Sequence, residues 1–130
     1  MQITTFLMFT GAAEEAMNFY VSLFPNSRVV SVARYGAGEP GKEGTVKQAE
    51  FELNKTRLRC IDSPAKHAFT FTPSISLFID CDDAAQLDRL FAAFNDGGMA
   101  LMPPDNYGFS KKFAWVQDRF GVSWQLNVPA

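Results

Sequence analysis

One histidine and two cysteines in 130 residues leave little material for metal or covalent chemistry. A closed structural zinc site needs closely spaced His or Cys pairs, and Cys60, His67 and Cys81 stand apart. A Ser or Cys nucleophile needs a base beside it. The sole histidine, His67, sits in the connection 64–71 next to Lys66, where a lone His is more often a solvent-exposed side chain than a ligand. Two cysteines are too few for a disulfide scaffold, and Cys60, within a strand pattern, reads as a small buried hydrophobe. There is no Gly-x-Ser-x-Gly elbow. The glycine-rich run 36–41 contains Pro40 and leads into no helix, so it lacks the backbone N–H nest that cradles phosphate.

Other absences narrow the class further. No apolar run approaches the roughly 20 residues that span a bilayer. The opening residues, Met1 to Thr5, lack the basic and apolar regions of a signal peptide, and a cytoplasmic protein with reduced thiols is the expectation. The net charge is −2, and Lys111–Lys112 is the one adjacent basic pair, which does not make the basic patch a nucleic-acid partner requires. Neither nucleic acid nor membrane is expected as a partner.

What the chain has is core material: 47% hydrophobic residues, with 13 Phe. Its length suits one compact domain, or two half-domains sharing a core. The pattern predicts a strand over 3–9 and, after Gly11, a helix over 12–23 with Ala16, Phe19, Tyr20 and Leu23 on one face. A Val-rich strand over 27–35 follows, then a loop and a hairpin of 46–53 with 57–62 about Asn54–Lys55. The order then restarts. A strand over 74–79 precedes a helix capped by Asp82–Asp83 and running to about Phe94. A short strand over 99–102 follows, with a loop from Pro103 to Phe109 and a C-terminal hairpin turning at residues 118–121. The two helices superimpose with a shift of 70, placing Met17 on Leu87, Tyr20 on Leu90 and Phe24 on Phe94. A repeated unit that cannot bury its own sheet face must pair with its twin.

Two stretches carry candidate function. Glu50 and Glu52 alternate with Ala49, Phe51 and Leu53, so they share one strand face. They form either an acid/base or cation site, or a solvated face cross-strand to Arg57 and Arg59; the second reading is favoured. Glu50 and Arg59 together would also orient a polar ligand. The last strand alternates more cleanly: Val122, Trp124, Leu126 and Val128 on one face, Ser123, Gln125 and Asn127 on the other. One face packs on a core, and if the other lines a cleft, Gln125 is its central functional group. Phe109, Phe113, Trp115 and Trp124 supply aromatic faces, although alternate aromatics in strands are more often core.

The duplicated strand–helix–three-strand unit resembles the vicinal oxygen chelate superfamily of glyoxalase I, extradiol dioxygenases and the fosfomycin and bleomycin resistance proteins. Phe9-Thr10-Gly11, Ala16 to Tyr20, Phe71 to Ser74, Asp105 to Gly108 and Asp118 to Gln125 resemble its PhnB-like family, also labelled 3-demethylubiquinone-9 3-methyltransferase. The resemblance implies an α+β fold of two βαβββ modules, about 1–63 and 70–130 of a single domain over 1–130. These would form a curved mixed sheet around a cleft with the helices outside. It implies a homodimer, which the aromatic surplus also fits. Aligned with the superfamily's metal enzymes, the ligand positions fall on Thr5, Ser74 and Gln125, with a fourth on Glu50 or within 57–62. Hydroxyl and amide oxygens are weak ligands without carboxylate or imidazole support. The reading is therefore a metal-free, cofactor-free cup for a small molecule, like the bleomycin-resistance branch. Thr5, Glu50, Arg59, Ser74 and Gln125 would supply its polar groups, and Phe109 and Trp115 its walls. The alternative is a lyase or dioxygenase with an atypical ligand set of Glu50, Gln125 and His67. A methyltransferase would need a doubly wound sheet with a Gly-rich turn, and this pattern has neither.

Overall fold

A computed structural model describes residues 1–130. The chain divides into two compact units, Met1–Ala68 and Phe69–Ala130, and each runs strand, helix, three strands. The expected α+β architecture of two repeated βαβββ modules is what the chain adopts.

In the first unit, β1 (Thr5–Phe9), α1 (Ala13–Leu23), β2 (Arg28–Arg34), β3 (Val46–Leu53) and β4 (Thr56–Asp62) build one sheet in the order β1-β4-β3-β2. β2, β3 and β4 form an antiparallel meander, and β1 adds parallel to β4, from Thr5 opposite Leu58 to Phe9 opposite Asp62. Asn54 and Lys55 both take positive φ, 46° and 68°, as a two-residue hairpin loop between right-twisted strands requires. α1 packs on β3, β2 and β4 and buries Ala13, Ala16, Met17 and Tyr20. Against it lie Ala49, Phe51, Leu58 and Cys60, all buried. The alternate residues of β3 and β4, among them Glu50 and Arg59, therefore occupy the face turned away from the helix.

The second unit repeats this with β5 (Leu77–Asp80), α2 (Ala84–Asn95), β6 (Met99–Asp105), β7 (Lys112–Gln117) and β8 (Ser123–Val128), in the order β5-β8-β7-β6. β5 lies parallel to β8, from Leu77 opposite Trp124 to Asp80 opposite Asn127. The side chain of Asp83 caps α2 by accepting from the Gln86 N–H at 2.8 Å, the role its position predicts. Leu87, Leu90 and Phe94 are buried on α2, and the Phe94 ring stacks on Trp124 at 4.4 Å. Met17 with Leu87, and Tyr20 with Leu90, are buried at equivalent places, as the shift of 70 expects, whereas Phe24 is the half-buried residue that ends α1 and Phe94 is buried within α2. No helix is long and apolar enough to cross a membrane.

Two boundaries differ from the sequence expectation. β6 continues through Pro103 and Pro104 to Asp105, where a loop was expected. It is an edge strand, and the register shift between Met102 and Asp105 leaves Pro103 and Pro104 out of the pairing with β7, so their missing N–H groups cost no ladder bond. β5 begins at Leu77 instead of 74, because residues 73–75 turn before the strand pairs.

Candidate functional site

β8 carries the site. Val122, Trp124, Leu126 and Val128 are buried, with Trp124 against α2. Period-2 alternation sends Ser123, Gln125 and Asn127 to the opposite face. Register adds neighbours to that face: Trp115 opposite Gln125 and Phe113 opposite Asn127 on β7, and Phe78 beside Gln125 on β5. Gln125 thus lies on the face turned away from the helix, the condition its assignment depended on.

The polar groups there form a chain. The Trp115 Nε1–H donates to Ser123 Oγ at 2.9 Å. Ser123 Oγ lies 2.7 Å from Ser76 Oγ, and the Gln125 Nε2–H donates to Ser76 Oγ at 3.2 Å. Ser123 is buried, while Trp115, Gln125 and Ser76 are half-buried. Farther along β8, Asn127 Nδ2 donates to Asp80 Oδ1 at 2.9 Å and Asn127 Oδ1 accepts from Ser110. Ser74, the residue expected beside Gln125, is exposed in the preceding turn and touches Thr72. Ser76, two residues on and of the same parity, stands in its place. The serine-rich run 74–76 signals a polar strand entry, but not which serine the register selects.

Aromatic rings border the chain. Phe113 is buried, and Phe109 meets it edge-on at 5.0 Å with Tyr107 stacked on Phe109 at 6.2 Å. Phe78 lies 6.3 Å from Phe113. Phe78 and Phe109 are 55% and 57% exposed, so the rim of this face is apolar and uncovered within the chain.

A buried turn holds the two strands. Asp118 Oδ1 accepts from the N–H groups of Phe120 and Val122 at 2.9 and 3.0 Å, and Oδ2 accepts from Trp124 Nε1 at 2.9 Å. Gly121 takes φ 95° and donates to the Asp118 carbonyl at 2.9 Å. One carboxylate therefore fixes both the hairpin and the ring behind Gln125. The family-like run Asp118 to Gln125 is visible in the sequence, whereas the three bonds its carboxylate accepts are not.

The face of the first sheet is of another kind. Glu50 stands opposite Arg59 and its carboxylate lies 3.4 Å from Arg59 Nε and 3.7 Å from Arg57 Nε. Glu52 pairs with Arg28 at 3.3 Å. The arginines are 41–65% exposed, so each pair contributes at most about 1 kcal/mol. This is the solvated cross-strand ladder that was the favoured reading of the two carboxylates. Thr5, exposed, shares the parity of Leu7 and Phe9, and it is Phe6 that stands opposite Arg59. The structure brings Glu50 together with Arg59, and Gln125 with Trp115; Thr5 and Ser74 do not join those groups.

These residues do not fit a divalent cation. The Glu50 carboxylate is already engaged by two guanidinium groups, Ser76 and Gln125 are neutral, and nowhere do three or more His, Cys, Asp or Glu gather to hold a metal. Hard cations want several oxygens with carboxylate among them. His67 Nε2 lies 3.1 Å from Ser63 Oγ on an exposed loop. Cys60 is fully buried. Desolvation, reinforced by the nearby Asp62 charge, pushes its thiol up to about 12. A thiol so raised is neutral in the folded chain and ionises first in the unfolded one. Its contribution to stability is complete below pH 9 and is lost as pH rises from there toward 12. Ellman's reagent at pH 8 is expected to leave Cys60 untouched until denaturant is added; rapid labelling of the native protein at this residue would contradict its burial.

The chain is similar to proteins of known structure. The model of the 3-demethylubiquinone-9 3-methyltransferase family matches residues 1–127. The PhnB protein from Bacillus cereus, named for the same methyltransferase, is 53% identical with a TM-score of 0.96, over 98% of this chain and 99% of its own. Protein PA1353 from Pseudomonas aeruginosa is 26% identical with a TM-score of 0.86, over 99% and 98%. A variant of the fosfomycin resistance protein FosX from Listeria monocytogenes was crystallised with Mn(II) and a dihydroxypropylphosphonic acid. It is 9% identical with a TM-score of 0.61, over 100% and 93%, a likeness of fold alone. No curated protein matches the chain.

Proposed function

We propose that this chain, which belongs to the 3-demethylubiquinone-9 3-methyltransferase or PhnB-like family, is a metal-free binding protein for a small, partly aromatic molecule. The observation that carries this reading is the face of the second sheet. A short row of hydrogen-bonding groups, Ser76, Ser123, Gln125 and Trp115, is bordered by the uncovered rings of Phe78 and Phe109. Ligand sites combine mostly apolar walls with a few placed polar groups, and this face has that composition. Gln125 and Ser76 hold the polar end of the ligand, and Trp115, Phe109 and Phe78 cover its flat part.

The geometry speaks against the chemistry in the family's name. Transfer of a methyl group from S-adenosylmethionine is commonly built on a doubly wound parallel sheet with a glycine-rich turn after its first strand. Here each sheet is mostly antiparallel with one parallel edge pair, and β1 leads into Thr10-Gly11-Ala12-Ala13. Fold and name support different activities, and function is argued from the site.

A thermal-shift screen of quinones, phosphonates and antibiotics tests the reading, since a ligand raises apparent stability by mass action. A hit is expected to lose about tenfold in affinity in Gln125→Ala, as for one or two lost hydrogen bonds, and to weaken in Phe109→Ala. A hit whose shift is the same in both variants binds elsewhere and sinks the assignment. Stoichiometric Zn, Ni, Mn or Fe in untagged protein, absent from Gln125→Ala, would instead favour the metal-dependent alternative.

A further inference from the structure

Hydrogen-bond bookkeeping on this face specifies the ligand more closely. The Trp115 N–H is spent on Ser123. The contact between Ser76 and Ser123 uses one of their two hydroxyl protons, and Gln125 gives one N–H to Ser76. Three groups remain without a partner in the chain: one serine hydroxyl proton, the second Gln125 N–H and Gln125 Oε1. An amide with both a donor and an acceptor open matches a ligand that offers both, and where the open N–H is the one cis to the C=O the two bonds close a ring.

Charge narrows the class further. Ser76, Phe78, Phe113, Trp115, Ser123 and Gln125 carry no ionisable group. The acids of this face, Asp80 and Asp105, close the ends of β5 and β6. Lys112, the cation on β7, has the opposite parity and pairs with Asp88 of α2 at 2.7 Å. Among the groups of this sheet face, a ligand carboxylate would meet Gln125 Oε1 without a cation to balance it, and a ketone or quinone would leave that oxygen unpaired, the outcome that costs most in a half-buried site.

We infer that the ligand bears a neutral carboxamide, primary or cyclic, on a flat aromatic body, with its C=O accepting from the Gln125 N–H and its N–H donating to Gln125 Oε1. This rests on the binding face proposed above. The rings of Phe78 and Phe109 take the flat body.

Three matched probes test it: 2-naphthamide, 2-naphthoate and 2-acetylnaphthalene. The two tryptophans make the readout local. The Trp115 indole N–H lies on the proposed face, whereas the Trp124 indole N–H donates to Asp118 behind it. In proton–nitrogen correlation spectra, naphthamide is expected to move the Trp115 indole signal and leave that of Trp124 in place. It should titrate about tenfold tighter than either other probe, the discrimination of a site left with an unpaired polar group. Gln125→Glu keeps the shape but offers acceptors only, and should abolish that preference with the Trp124 signal unchanged. Equal titration by all three probes overturns the carboxamide class while leaving the binding face standing. No movement of Trp115 with any probe at millimolar concentration overturns both.

Discussion

Asp118→Ala is expected to lower stability by about 4 kcal/mol, since three N–H donors lose a charged acceptor worth roughly 1.5–3 kcal/mol each, less than additively. The side chain is 4% exposed, so water does not readily replace it. For a chain of this size the loss corresponds to a fall in Tm of roughly 10–15 °C. Asp118→Asn should cost about half as much by the same accounting. Its amide oxygen still accepts from Phe120 and Val122, but its NH2 faces the Trp124 N–H. Trp124→Phe keeps the stack on Phe94 and removes that donor, so the Asn substitution should cost less in its presence than in the native chain. Thermal unfolding of the two singles and the double closes the cycle. A shift below about 3 °C for Asp118→Ala, under 1 kcal/mol on this scale, would mean that the carboxylate does not organise the turn.

Asp62→Ala is expected to have the second largest effect, about 3–4 kcal/mol by the same reasoning. Asp62 is 3% exposed. Its Oδ1 accepts from the N–H groups of Gly11 and Ala13 at 2.7 and 3.0 Å, its Oδ2 from the Val46 N–H at 2.9 Å, and its carbonyl from the Tyr35 hydroxyl at 3.1 Å. α1 has no capping side chain of its own, its N-cap being Ala12. A residue remote in sequence supplies the missing acceptor, where helix N-termini favour negative charge. Amide exchange separates this role from general loosening. The amides of Gly11, Ala13 and Val46 should lose protection first, and retention of protection at all three would refute the assignment.

Much of this was legible from local pattern. Alternation in β8 placed Gln125 opposite Trp124, because a period of two leaves no choice once the buried face is identified. The Asp83 cap and the ladder of Glu50 with Arg59 followed from neighbours along the helix or across one hairpin. What escaped were contacts that only the chain's long-range path creates. Asp62 read as the end of a strand because its partners Gly11 and Ala13 lie at the far end of the module. Ser74 follows from alignment with the superfamily's metal enzymes, which carries no information on the parallel register with β8 that puts Ser76 beside Gln125. Pro103 and Pro104 suggested a loop because the argument against proline in a strand holds for central strands, and edge position is not written in the local sequence.

The parallel strand pairs set a timetable for the nascent chain. β2–β3–β4 and β6–β7–β8 are runs of sequence neighbours, cheap to close in chain entropy. β1 has no place until β4 exists, and β5 none until β8 does. A ribosome must therefore release Asp62 before Leu7 and Phe9 find their sheet, and β8 before Leu77 and Ile79 find theirs. During synthesis these opening strands are greasy segments without a home. They are the places where a holding chaperone would do the most for yield, and where slowed translation after the first hairpin of either module would be felt as aggregation.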